Sequence, residues 1–197
     1  MNPNGLSSVA YAALLALSVL VAGCGHAKVA HPLTAELSGN DSQSQMNFWH
    51  TLASRPLTSN DEAFHGLLLY MDSRDPAGTY EQRVALLKNR RMLPPDFHAP
   101  PDRAVERGTL AVAICRILKI KGGVMLHVLP QTPRYAVREL EFQEIFPPSG
   151  SYQTFSGAEF LGIIGRIEDR QRGTTIPMPA QVLPTPASTR PTTRPVR

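Results

Sequence analysis

Two stretches decide the fold: Tyr80–Pro95, which reads YEQRVALLKNRRMLPP, and Pro133–Pro148, which reads PRYAVRELEFQEIFPP. Val84, Leu87, Leu93, Pro94 and Pro95 of the first align with Val137, Leu140, Phe146, Pro147 and Pro148 of the second at a constant offset of 53. Further along, Leu110, Ala113, Ile114, Arg116 and Ile117 align with Phe160, Ile163, Ile164, Arg166 and Ile167 at an offset of 50, so the second loop is three residues shorter. Each unit reads as a helix, a proline-containing loop and a second helix. A unit of that size cannot bury its apolar faces alone, so neighbouring units must pack together.

Working outward, the start signals fall at regular places. Ser42-x-x-Gln45 and Ser59-x-x-Glu62 have the form of capping boxes, and the helix after the second carries Phe64, Leu67, Leu68 and Met71 at helical spacing. Thr79-x-x-Gln82 caps the helix bearing Tyr80, Val84 and Leu87, and Pro94-Pro95 forbids its continuation. A fourth helix is expected from about Arg107 to Ile120, stopped by Gly122-Gly123, with Val124–Leu129 extended beyond it. A fifth covers about Arg134–Ile145, and a sixth opens at Ser156-x-x-Glu159, where Phe155 and Phe160 can form a hydrophobic staple. The expected fold is therefore mostly α, two helix-loop-helix repeats packed into one small domain; the first two helices match more weakly and leave open two copies or three, the third degraded. The domain is placed at residues 41–170, with units at about 42–72, 79–121 and 134–170.

The amino terminus reads differently. Val9–Ala22 is an uncharged apolar run, too short for a ~30 Å hydrocarbon core but suited to the core of a signal peptide. It ends in Leu20-Val21-Ala22-Gly23-Cys24, which resembles the lipobox of bacterial lipoproteins. The resemblance implies a signal peptide over 1–23, acylation of Cys24, membrane lipid as a partner through that residue, and a lipid-anchored place in the cell envelope on the periplasmic or outer-membrane face. Residues 24–40, polar and nonperiodic, are expected to be a flexible tether, and 171–197, rich in Pro, Thr and Arg, a disordered tail.

The helical repeats also resemble bacterial S-layer homology modules. Arg107-Gly108-Thr109-Leu110-Ala111 matches the arginine and the apolar positions of their signature, and Gly157-Ala158-Glu159-Phe160 matches its Ala-Glu-Phe. That likeness implies binding of a cell-wall glycan polymer, with Arg107 as a candidate ligand contact. Trp49, the one tryptophan, is a second candidate as a sugar-stacking platform.

Composition limits the alternatives. Of 20 basic residues, five arginines lie beyond the last acidic residue, Asp169, and without them 15 basic face 16 acidic residues, so the body is nearly neutral. A folded nucleic-acid-binding face is not expected. No Gly-x-Ser-x-Gly, phosphate-cradling glycine loop, His-Glu-x-x-His or Cys-x-x-Cys occurs, and the six histidines are scattered. No enzyme, metal or cofactor is expected. With Cys24 acylated, Cys115 has no disulfide partner and reads as a small buried hydrophobe. The function that fits is non-catalytic binding of wall polymer or an envelope protein. A subunit or assembly factor of an envelope machine is the alternative, and an extracytoplasmic hydrolase fits less well.

Overall fold

The computed structural model describes residues 26–30, 33–120 and 132–173. Over these the chain forms six helices, α1 (Ser42–Ala53), α2 (Asn60–Asp72), α3 (Tyr80–Asn89), α4 (Arg107–Ile117), α5 (Pro133–Phe142) and α6 (Gly157–Arg172), and no β-strand beyond isolated bridges. A mostly helical domain is therefore what the chain builds. All six helices feed one continuous core: Phe48 and Leu52 from α1, Phe64, Leu67 and Leu68 from α2, Leu87 from α3, Leu110 and Ile114 from α4, Val137 and Leu140 from α5, and Phe160, Ile163 and Ile167 from α6. Full burial of such a side chain stabilises by about 1.5–3 kcal/mol, so the core is shared between units rather than divided among them.

The helix starts follow the side-chain chemistry. Ser59 and Ser156 each accept from the N–H of the glutamate three residues on, while that glutamate accepts from the backbone N–H of the serine. Both capping boxes are thus complete. Thr79 caps α3, but the Gln82 side chain accepts from the N–H of Gly78 rather than that of Thr79. At α1 the expected box is displaced by one residue. Asp41 is the cap, accepting from the Ser44 N–H at 2.9 Å, because a carboxylate is available just before Ser42, and Gln45 instead donates to the carbonyl of Asn40.

The offset of 53 is a backbone repeat as well as a side-chain one. At the end of α3, Met92 N–H donates to the Leu87 carbonyl and Arg91 N–H to the Lys88 carbonyl, with Arg91 at φ 58°. At the end of α5, Ile145 donates to Leu140 and Glu144 to Glu141, with Glu144 also at φ 58°. Both are Schellman motifs made without glycine, and each sends the next residue, Met92 or Ile145, back toward the core. A third such motif ends α4 earlier than expected: Ile120 donates to Cys115, Lys119 to Arg116, and Lys119 sits at φ 51°. The helix stops at Ile117, α5 likewise at Phe142 rather than Ile145, and α6 runs on to Arg172, two residues past the expected end of the domain. Gly122-Gly123 and Val124–Leu129 lie outside the described residues, as does the tail from 174 onward.

The first two helices take a place in the backbone contacts like that of the other two pairs, although α1 ends at Ser54 in right-handed backbone without the motif that ends α3 and α5. Short backbone contacts link the loop before each second helix to the next unit, and the links run in a circle. Val105 N–H donates to the Thr58 carbonyl and Asn60 N–H to Arg103, joining the first unit to the second. Arg107 N–H donates to Gln153, joining the second to the third. Thr58 N–H donates to Phe155 and Gly157 N–H to Arg55, returning the third to the first. The donors Asn60, Arg107 and Gly157 hold the same place, the first residue of α2, α4 and α6.

The expected tether is shorter than 24–40. Ala104 N–H donates to the Ala27 carbonyl and Val29 N–H to the Asp102 carbonyl, Lys28 pairs with Asp102 at 2.9 Å, and Val29 is buried. Leu33 and Leu37 pack on the core, and Asn40 holds the backbone of Asp75 by both its amide donor and its amide oxygen. Residues 27–30 and 33–40 are part of the folded body.

Candidate functional site

Three related junctions invite comparison, and they differ in what occupies them. At the junction of the third unit with the first, Gly157 stands where Asn60 and Arg107 stand in the others. A Cβ there would lie 1.6 Å from the carbonyl oxygen of Leu52, so α1 closes this junction completely.

At the junction of the second and third units Arg107 fills the space. Its residue is 5 % exposed, its Nη2 donates to Glu159 at 2.7 Å, and its guanidinium lies 4.5 Å above the centre of the Phe155 ring. Hydrogen bonding from the backbone of Ser156 holds the Glu159 carboxyl below its ordinary range, and Arg107 lowers it further. The Arg107 Nε and Nη1 are buried without a hydrogen-bond partner. A residue read as a ligand contact is thus turned inward as a tie between units.

Among the described residues, the junction of the first and second units is the open one of the three. A groove of about 450 Å³ runs along it, lined by Asn60, Asp96, His98, Arg103, Glu106 and Thr109. Its floor is fixed from both sides. Asn60 donates its amide to the Pro100 carbonyl at 2.9 Å, and Arg103 pairs with Glu106. The loop from Pro94 to Pro101 forms the outer wall. It is held by an aromatic stack in which Phe64 lies parallel to Tyr80 at 5.9 Å and edge-on to Phe97 at 5.5 Å, and by the Tyr80 hydroxyl donating to the Ala99 carbonyl at 2.6 Å. Burial raises the Tyr80 phenol well above its ordinary value, which keeps it a donor. His98 Nδ1 lies 2.7 Å from the Asp96 carbonyl, an atom that only accepts, so Nδ1 carries the proton and Nε2 is left for a ligand. On the far side of the same loop a second, more apolar hollow of about 440 Å³ is lined by Tyr80, Val84, Lys88, Phe97 and Pro101.

The remaining polar clusters are structural. Behind the groove, Arg83 donates to Asp61 at 2.8 Å and to Asp75 at 2.5 Å, and His65 Nδ1 lies 2.7 Å from Asp75, all largely buried. Burial pushes both carboxyls up. At Asp75, hydrogen bonds from His65, Arg83 and the Ala77 N–H outweigh it and hold the group below its ordinary value; at Asp61, with Arg83 alone as donor, burial prevails and the value is raised. Two carboxylates on one arginine therefore shift in opposite directions because they receive unequal numbers of donors.

Trp49 is half-buried beside Phe48, at 4.9 Å between ring centres, and its ring edge lies within 3.2 Å of where a Cβ on Gly66 would be. Its outer side lines an open apolar hollow with Met46, His50 and Leu161. That hollow lies on another helix pair, α1 and α6, whereas Arg107 packs on Phe155, so Trp49 and Arg107 do not share a site. Burial pushes the Cys115 thiol up to about 12, which suits a packing residue rather than a nucleophile. Cys24 lies outside the described residues. Among the described residues no group of three metal-ligating side chains occurs, and no helix is long and apolar enough to cross a membrane.

The groove residues His98, Arg103 and Asp96 were not singled out by sequence. Their signal is the change of offset from 53 to 50: the second unit's loop, which forms the groove wall, is three residues longer than the third unit's. No family model, no curated protein and no solved structure matches this chain.

Proposed function

We propose that this is a lipid-anchored, non-catalytic protein of the cell envelope whose groove between the first and second units holds a short stretch of a hydroxyl-rich wall polymer. One observation supports the reading most: of three related junctions, one is closed by backbone, one is filled by Arg107, and one is left open and lined by donors and acceptors already held in place. Sugar hydroxyls both donate and accept, and the set of Arg103, Glu106, Thr109 and the Nε2 of His98, on a floor fixed by the buried Asn60, answers both needs at little ordering cost. The lipobox-like run at Leu20–Cys24 supports the envelope address, and the likeness of the repeats to wall-binding modules supports the wall ligand, with the groove rather than the inward-turned Arg107 as its seat.

The test is co-sedimentation of residues 25–197 with isolated wall sacculi. Binding by the wild-type body that falls at least tenfold in His98→Ala/Arg103→Ala supports the groove. A folded body that does not sediment overturns the wall reading.

A second reading has its own observation. The hollow around Trp49 and Met46, with Met46 59 % exposed, is a largely apolar surface of the kind that protein partners cover. It favours an assembly factor of an envelope machine, and capture of an envelope protein that Met46→Lys abolishes, while sedimentation with sacculi is unaffected, would support it over the first.

A further inference from the structure

We infer that the folded body lies directly against the lipid surface, by the edge at which residues 27–29 pair with residues 102–104. The inference rests on acylation at Cys24, which belongs to the function proposed above. Its own content is geometric. A tether of sixteen free residues would let a body drift roughly 20–25 Å from its anchor. Here the backbone is already fixed at Ala27, whose carbonyl accepts from Ala104, and at Val29, whose N–H reaches Asp102 at 2.7 Å. Lys28 between them is paired with Asp102. Three Cα steps separate Cys24 from Ala27, a reach of at most about 11 Å.

With a headgroup layer of roughly 5–8 Å per leaflet, that reach leaves only a few ångströms of clearance and holds the edge carrying Lys28, Asp102 and Arg103 against the headgroup surface. The charges of this edge are satisfied within the protein: Lys28 by Asp102, and Arg103 by Glu106. The acyl chains therefore supply the affinity and the edge supplies only the pose, without a demand for anionic lipid. A consequence for the groove follows, since Arg103 and Ala104 belong both to this edge and to the groove wall. The groove therefore lies next to the edge held at the membrane.

The experiment uses the full chain, processed and acylated in a bacterial host, in vesicles of phosphatidylethanolamine and phosphatidylglycerol that carry a nitroxide on a fraction of headgroups. A thiol-reactive fluorophore is placed at Pro100→Cys, beside the edge, or at Arg74→Cys, beyond the far end of α2 and about 18 Å along that helix from Asn60. Cys115 is buried and its thiol is raised to about 12, so it stays unlabelled. Mass of the N-terminal peptide reports acylation of Cys24.

Quenching several-fold stronger at position 100 than at 74, and lost when sixteen Gly/Ser residues are inserted between Gly25 and His26, is the expected result. Equal quenching at the two positions in a chain with acylated Cys24 overturns the docked pose while leaving the anchor standing. An unmodified Cys24 overturns the anchor and, with it, the pose.

Discussion

Gly157→Ala tests the closure of the three-unit ring with a single methyl group. The added Cβ would sit 1.6 Å from the Leu52 carbonyl oxygen and 2.6 Å from its carbonyl carbon, both backbone atoms that no rotamer change can move. Relief requires the third unit to back away from the first. Overpacking of this kind costs about 1–3 kcal/mol. The displacement also breaks two hydrogen bonds across the junction, Gly157 to Arg55 and Thr58 to Phe155, at about 1 kcal/mol each. The expected loss is about 3–5 kcal/mol, a large part of the ~5–15 kcal/mol available to a domain. With a urea slope near ~2 kcal/mol/M, the unfolding midpoint should fall by about 2 M. Gly165→Ala is the internal control. It lies inside the same helix with nothing within 4 Å of an added Cβ, so the substitution should stabilise by about 0.5–1 kcal/mol. Equal midpoints for wild type and Gly157→Ala would refute the claim that the third unit closes on the first at this contact.

Other substitutions probe the buried polar groups. Arg83→Met leaves Asp61 and Asp75 without their shared cation and should destabilise by about 3–5 kcal/mol in urea unfolding, whereas an exposed pair such as Arg172–Glu168 should give under ~1 kcal/mol. Arg107→Ala removes a buried cation from the Phe155 ring and should cost about 2 kcal/mol without abolishing sedimentation with sacculi of the fraction that remains folded. For Asp75, a folded value held below the ordinary one stabilises fully above the unfolded pKa of about 3.9 and is lost as pH falls through the folded value. Asp61, raised by burial, acts in the opposite sense, so Asp75→Asn should lessen the decline in urea midpoint expected of wild type below about pH 4, with Glu159, also held below its ordinary value, still contributing to it. Cys115, raised to about 12, should resist a maleimide at pH near ~8 in the folded body and react at once in denaturant.

Much of the architecture can be read from pattern because it depends on local rules. The capping boxes at Ser59 and Ser156 rest on three-residue spacing, and the apolar faces of α2, α4 and α6 on helical periodicity, so both are legible. Helix ends were harder. Arg91, Lys119 and Glu144 adopt left-handed backbone without being glycine, and what compensates is the burial of the next apolar residue, a tertiary effect that no local rule registers. The tether shows the same limit. Lys28 and Val29 are unremarkable in isolation and become part of the body only through a partner more than seventy residues away. Arg107 was legible as a notable residue but not in direction, since whether a guanidinium faces a groove or a phenyl ring is settled by Phe155 in another unit. The groove was missed because its residues lie in a loop whose meaning comes from comparison with a shorter copy.

The circle of backbone bonds also governs how the protein can be made and how it can evolve. The contacts that close it, Thr58 with Phe155 and Gly157 with Arg55, span about a hundred residues, so the first unit does not complete its native surroundings until the last helix has been synthesised. A chain stopped after α5 would present two raw edges, suited to pairing with a second incomplete copy. For the same reason the number of units cannot drift. An open stack of repeats can gain or lose a copy at either end, but here a fourth unit would have to break an existing bond before it could enter, and three is fixed by topology rather than by selection on length.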